Sequence, residues 1–225
     1  MKDCRDLLEE ERSRIGSWGR LNSDRIHAVL KYAGKTVLDA GCSSGETVRF
    51  LRRKGFSAFG FDLLPSPEWP DSGCGCFAGG DLLAIPFRDD AFDTSLLFEV
   101  LEHVPDVEQA LAEVGRVTRE TLILSVPDAT LPPEFRDAGL TYFHWVDRTH
   151  VQFFTPDGIA EALERSGFDV KHQRHINPVR PEILFFESLR IPRPMRKILL
   201  KITRILPFRK QRFMTILTVA RKRGR

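Results

Sequence analysis

The stretch V-L-D-A-G-C-S-S-G at 37–45, followed by F-G-F-D at 59–62, constrains this chain more than any other feature. Thr36, Val37 and Leu38 are apolar or β-branched and read as a short buried strand. A turn bracketed by Gly41 and Gly45 follows, then a helix-compatible run at 46–54 and a second apolar strand at 56–61 that ends on Asp62. This is the sequence form of a β-α-β unit that holds a nucleoside against bare backbone. The two glycines let the chain turn tightly and let a ligand come close where a Cβ would stand in the way. Asp62 falls where an acid can accept the hydroxyl protons of a ribose. The glycines are spaced G-x-x-x-G, not G-x-G-x-x-G, and Asp39 precedes them. A carboxylate there repels a pyrophosphate and suits a ligand with a cationic end.

Expected strands at 36–40, 56–61, 76–78, 94–98 and 121–126 alternate with helices, among them 46–54 and 107–118. Such alternation gives a parallel sheet with helices on both faces. A further helix at 158–166 opens on Thr155-Pro156-Asp157 and stops at Gly167, and strands at 168–175 and 213–220 complete the sheet. Ligands of such sheets bind outside the carboxyl ends of the strands. Asp39, Asp62, Asp81, Glu99 and Asp128 all fall at or just past such ends. Ahead of the sheet, a charged helix at 6–15 and a second at 24–32 are expected, the latter capped by Asn22 or Ser23 with Ile26, Val29 and Leu30 on one face. The organisation is one domain over 1–225, with N-terminal helices in 1–34 and a basic helical insertion at 176–212 between the last two strands.

From Asp39 to Asp62, a spacing of 23 residues, the chain resembles the class I S-adenosylmethionine-dependent methyltransferases, whose first motif is an acid followed by a glycine-rich turn. Ser43 stands where the usual pattern has glycine. The resemblance continues through G-D-L at 80–82, I-P-F-R-D-D-A-F-D at 85–93, F-E-V-L-E-H-V-P-D at 98–106 and T-H-V-Q-F-F-T-P-D-G-I at 149–159. These strings are similar to the small-molecule branch, including the ubiquinone-pathway O-methyltransferases, and the likeness covers roughly residues 35–175. It implies a doubly wound α/β fold: a seven-stranded, mostly parallel, Rossmann-like sheet with an antiparallel last strand. It also implies S-adenosylmethionine as cofactor, held by Asp39, Gly41, Cys42 and Gly45, by Asp62 with its neighbour Leu63, by Asp81 and Leu82 around the adenine, and by Glu99.

Methyl transfer from a sulfonium requires the protein to align the acceptor, exclude water and, for a hydroxyl, remove a proton. His103 and His150 are the candidate bases, because imidazole titrates near neutrality; each could instead orient a neighbour or cap a loop. His144, in T-Y-F-H-W-V, reads as pocket wall or core. The site is read without metal. Even so, Glu99, Glu102 and His103 joined by His150 would suit Mg²⁺, Mn²⁺ or Zn²⁺. A similar E-x-x-E-H arrangement serves metal in the small-RNA 2′-O-methyltransferases, and the same string occurs in relatives that need none. Leu131, Phe135, Leu140, Tyr142, Phe143 and Trp145 make the segment 129–150 apolar and aromatic, which favours an aromatic, isoprenoid or lipid-like acceptor.

The expected function is O-methylation of a small or lipid-linked metabolite. The rivals are metal-assisted RNA 2′-O-methylation and a non-catalytic cofactor-binding domain that acts through partners. The net charge of +3 hides an asymmetry: residues 186–225 hold 13 Lys/Arg and one acid, so the rest of the chain is net acidic. A basic amphipathic helix is expected at 195–206, with Met195, Ile198, Leu199, Ile202, Ile205 and Leu206 on one face and Arg196, Lys197, Lys201 and Arg204 on the other. It could pack on its own domain, dock on an anionic membrane or serve as a substrate lid; nucleic acid is not the expected partner, since few aromatics interleave with the charges. No apolar run of about 18 residues is present and the N-terminus lacks an apolar h-region, which points to the cytoplasm, with peripheral attachment at the inner membrane face as a variant. Cys74 and Cys76 read as reduced thiols, since C-x-C alone supplies half a metal site.

Overall fold

Alternating apolar strands and amphipathic helices assemble into one seven-stranded sheet in the computed structural model, which describes residues 21–69, 75–130, 147–179, 189, 191–203 and 212–224. In chain order the elements are α1 (Ser23–Tyr32), β1 (Thr36–Ala40), α2 (Glu46–Arg53), β2 (Ser57–Asp62), β3 (Phe77–Gly79), β4 (Phe92–Phe98), a 3₁₀ turn (Leu101–His103), α3 (Val107–Val117), β5 (Thr118–Pro127), α4 (Pro156–Arg165), β6 (Phe168–Val179), α5 (Arg193–Thr203) and β7 (Arg212–Lys222). The expected helix at 6–15 lies outside the described residues. None of the described helices is long and apolar enough to cross a membrane.

The strand order is β3-β2-β1-β4-β5-β7-β6. Neighbours from β3 to β5 pair in parallel, and β7 runs antiparallel between β5 and β6. The last strand is therefore antiparallel, as the resemblance implies, and it sits inside the sheet with β6 as the outer strand. The chain leaves β1 for β2 and β3 on one side and returns to β4 and β5 on the other. That reversal puts the switch point between the carboxyl ends of β1 and β4, the usual ligand position in such sheets.

One face of the sheet buries Leu38, Leu97, Leu122 and Leu124 against Leu111 and Val114 of α3 and Ile159 and Leu163 of α4. The other buries Val37, Ala58, Leu96 and Ile123 against Ala28 and Val29 of α1 and Val48 and Leu51 of α2. Each fully buried leucine contributes roughly 2 kcal/mol of transfer free energy. The helix ends follow local chemistry. Asn22 Oδ1 accepts the N–H groups of Asp24 and Arg25, Asp106 Oδ1 accepts that of Gln109, and Thr155 Oγ1 accepts that of Gly158.

Two expectations are corrected. α1 buries Ala28 and Val29 and leaves Leu30 exposed, so its inner stripe is Arg25, Ala28, Val29 and Tyr32 at i, i+3, i+4, i+7, not Ile26, Val29 and Leu30. Cys76 is buried and disulfide-bonded, not reduced, and its partner lies outside the described residues.

Candidate active site

β1 breaks into the glycine loop because Gly41 (φ 83°), Ser43 (φ 48°) and Gly45 (φ 84°) all take left-handed backbone. The N–H groups of Gly41 and Cys42 donate to the Phe61 carbonyl at 2.7 and 3.1 Å, which folds the loop over the end of β2. A Cβ at Gly41 would run into Val100, and one at Gly45 would meet the Phe77 ring at 2.5 Å. Both positions need glycine for space as well as for conformation. Ser43, in the glycine position of the family pattern, is held by its neighbours. Its N–H donates to Asp62 Oδ2 at 2.7 Å and its carbonyl accepts Trp69 Nε1–H at 2.9 Å, while Trp69 stacks on Phe77.

Asp62 Oδ1 accepts the Leu64 N–H at 2.9 Å, so both carboxylate oxygens are oriented by backbone N–H groups. Gly80 N–H donates to the Asp62 carbonyl at 3.0 Å, which brings Asp81 to the same strand end. Asp81 is exposed, with Oδ1 accepting the Leu83 N–H; Leu82 is buried and Leu63 half-buried. Cys42 is buried in the core shared with Val48 and Leu51 of α2, and burial together with Asp39 and Asp62 pushes its thiol pKa far up. Its side chain packs; it supplies no thiolate.

Asp39 is buried at the end of β1. Burial first, and then the charge of Asp62, push its pKa up to about 7, with Arg25 pulling the other way. Arg25, which sequence reasoning missed, reaches from α1 to Glu99 Oε1 at 2.6 Å and lies over the Phe98 ring. Glu99 takes φ +56° just past β4, its N–H donating to the Ser125 carbonyl and its Oε1 accepting the Ser125 hydroxyl at 2.9 Å. The signal for Arg25 was its place on the inner stripe of α1, three and four residues before Ala28 and Val29.

The 3₁₀ turn after β4 carries Glu102 and His103. The N–H groups of Val151 and Gln152 both donate to the Glu102 carbonyl, and His103 Nδ1 donates to the Thr149 carbonyl at 3.1 Å. These bonds set His150 against His103, with ring centroids 4.8 Å apart, although the two lie 47 residues apart in sequence. Asp147 Oδ2 stands 3.7 Å from His150 Nε2. Burial opposes its charge, but the Thr149 hydroxyl and N–H bonds and the two histidines hold its carboxyl below the usual range. Burial, and then the neighbouring His150, push the His103 pKa down to about 4, so its imidazole is neutral at pH 7. Glu102 is buried with neither carboxylate oxygen hydrogen-bonded, and burial with the Glu99 charge pushes its pKa well up.

Among the described residues, one ligand atom each from Glu102, His103 and His150 lie within 4.8 Å of one another. Glu99, the fourth member of the donor set read from sequence, is turned to Arg25 and Ser125 and stands outside this cluster. His144 and the aromatic segment 131–146 lie outside the described residues.

A family model described as a methyltransferase domain matches residues 10–173, more than half of the chain. The chain belongs to that family, the class I S-adenosylmethionine-dependent methyltransferases of small-molecule type. It is similar to the 2-methyl-6-phytyl-1,4-hydroquinone methyltransferase of Synechocystis sp., at 29% identity over 164 residues, covering 64% of this chain and 52% of that protein. It is also similar to the demethylmenaquinone methyltransferase of Thermobifida fusca, at 33% identity over 128 residues, covering 52% of each. The chain thus spans about half the length of these curated relatives. In fold it matches the Burkholderia thailandensis 1,6-didemethyltoxoflavin-N1-methyltransferase, solved with bound 1,6-didemethyltoxoflavin and S-adenosylhomocysteine, with a TM-score of 0.59 at 20% identity over 98% of this chain and 82% of that one.

Proposed function

We propose that this chain moves a methyl group from S-adenosylmethionine to an oxygen of a small, lipid-linked acceptor. The observation that carries the reading is the His103–His150 pair, held directly after β4 with a neutral imidazole. The residues fit the donor: a glycine cradle that a Cβ would fill, Asp62 for the ribose hydroxyls, the Asp81–Leu82 segment for the adenine, and Asp39 for a cationic methionine end. Bound there, the donor supplies an already activated methyl group for in-line attack.

His103 has Nδ1–H committed to Thr149, which makes Nε2 its proton-accepting nitrogen. It takes the hydroxyl proton of the acceptor as the oxygen attacks. The Asp147 carboxylate favours the imidazolium that forms on His103, while His150 opposes it and returns the proton readily to solvent. Glu99, locked by Arg25 and Ser125, orients the donor. The relatives named for a phytyl hydroquinone and for demethylmenaquinone support a prenylated aromatic acceptor.

A second reading rests on the two unpartnered oxygens of Glu102. A divalent ion held by Glu102, His103 and His150 would acidify the acceptor hydroxyl at the same position. Binding of Mn²⁺ to wild type and to Glu102→Gln, measured calorimetrically, separates the readings: binding lost in the variant supports the metal, and none in either leaves the histidines to act alone. For the base, His103→Asn and His150→Asn are expected to lower kcat with a prenylated quinol by about 10²–10⁴-fold while S-adenosylmethionine affinity holds within about twofold. Undiminished turnover in the double variant would sink the assignment.

A further inference from the structure

The connection between β6 and β7 carries α5, and α5 is not turned the way a helix packed on its own domain would be. Such a helix buries its apolar stripe. Here Met195, Ile198 and Ile202 are 57%, 61% and 54% exposed. At 3.6 residues per turn these three fall within an arc of about 60°. Lys197 and Lys201 are exposed and continue the same outer half of the helix, whereas Arg196, Leu199 and Leu200 are partly buried. The outer half of α5 is therefore an apolar stripe bordered on one side by lysines, and residues 191–203 contain no acid.

Its place in the fold adds direction. β6 runs parallel to β5, and β7 starts where β6 ends: Pro178 pairs with Phe213, and Pro127 with Thr215. The connection that holds α5 thus leaves and rejoins the sheet at its carboxyl edge, the edge that carries Asp39, Asp62, Glu99 and Asp128.

We propose that α5 is a docking surface for an anionic lipid bilayer, lying flat with Met195, Ile198 and Ile202 in the acyl boundary and Lys197 and Lys201 among the headgroups. The arrangement of apolar residues and lysines on one solvent-facing half is that of an interfacial helix. A second copy of this chain would suit the apolar stripe alone, but it would bring Lys197 and Lys201 against their own copies, and nothing on the helix neutralises them. An anionic surface satisfies both. The connection that carries the helix leaves and rejoins the sheet at its carboxyl edge, so docking would bring that edge near the membrane. This inference does not depend on which atom is methylated.

The test is co-sedimentation of the full chain with vesicles of phosphatidylcholine alone and of an equimolar phosphatidylcholine–phosphatidylglycerol mixture, with sedimentation velocity in parallel. Wild type is expected to bind the anionic vesicles and not the neutral ones. A basic residue near an anionic surface is worth about fivefold in partitioning, so Lys197→Ala/Lys201→Ala should weaken binding by about 25-fold. Ile198→Ser/Ile202→Ser should abolish it, with the melting temperature unchanged because both side chains are already exposed. The inference is overturned if wild type ignores the anionic vesicles, if the serine variant binds as well as wild type, or if wild type is a dimer that the serine variant dissociates.

Discussion

Asp39 is a carboxyl group in the wrong place for the protein alone and in the right place for a cation. Burial and Asp62 push its pKa up to about 7, so below that pH it is largely protonated. A ligand that brings a sulfonium and an ammonium favours the ionised form, so binding releases a proton. Affinity for S-adenosylmethionine should then rise with pH, by up to about tenfold per unit below pH 7, and level off above it. Calorimetry in buffers of different ionisation enthalpy would detect the proton, and Asp39→Asn should flatten the profile; a flat profile in wild type would contradict the account. The same shift has a stability sign. An acid whose folded pKa is raised above its unfolded value costs stability as pH rises from about 4 to 7. Asp39→Asn should therefore melt higher than wild type at pH 8 and much the same at pH 4. Gly45 gives a steric counterpart. Gly45→Ala adds a Cβ at φ 84° against the Phe77 ring, and should cost about 1–3 kcal/mol by denaturant titration along with weakened cofactor binding.

At the scale of elements, α3 holds the segment that follows Asp81 and Leu82. Arg116 donates to the carbonyls of Ile85 and Phe87 at 2.8 and 2.7 Å and to Asp89, while Glu113 accepts the Ile85 N–H and pairs with Arg116. The bonds to carbonyls matter more than the partly exposed ion pairs, which water screens. Arg116→Ala should cost about 1–3 kcal/mol and weaken S-adenosylmethionine binding. Arg116→Lys should recover little of this, because an ammonium cannot bridge two carbonyls as the planar fork does. An unaltered melting temperature in the alanine variant would show the segment to be held by its apolar side chains alone. Which elements form was largely legible in the sequence, since Thr155-Pro156 and the glycine-bracketed turn are local signals that the structure repeats. Their ends were less so. β5 takes Thr118, expected in the preceding helix, because α3 stops at Val117. β6 continues through Asn177 (φ +57°) and Pro178, residues that locally favour a turn, because β7 pairs with it as far as Arg212.

For the whole molecule, the carboxyl edge of the sheet gathers the chemistry. Asp39, Asp62 and Asp81 were readable as strand-end acids, because a strand's direction fixes which end faces the ligand. Arg25 was harder to read, since its one signal, a place on the inner stripe of α1, does not say that a cation there reaches the end of β4. His103 and His150 were read as members of one donor set, but the contact that joins them was not. It is made by backbone bonds from Val151 and Gln152 to Glu102, and such bonds leave no trace in side-chain pattern. The chain is acidic over most of its length and basic toward the C-terminus, and the connection that carries α5 meets the sheet at the edge that holds Asp39, Asp62 and Glu99. The measurement that tests this account most directly is calorimetric titration of S-adenosylmethionine into wild type and Asp62→Asn, with melting curves to show that both are folded. The account expects micromolar binding by wild type and a loss of about tenfold or more in a folded variant, whose amide puts an N–H donor where the carboxylate has an acceptor oxygen. Equal binding by the two, or none by wild type, would contradict it.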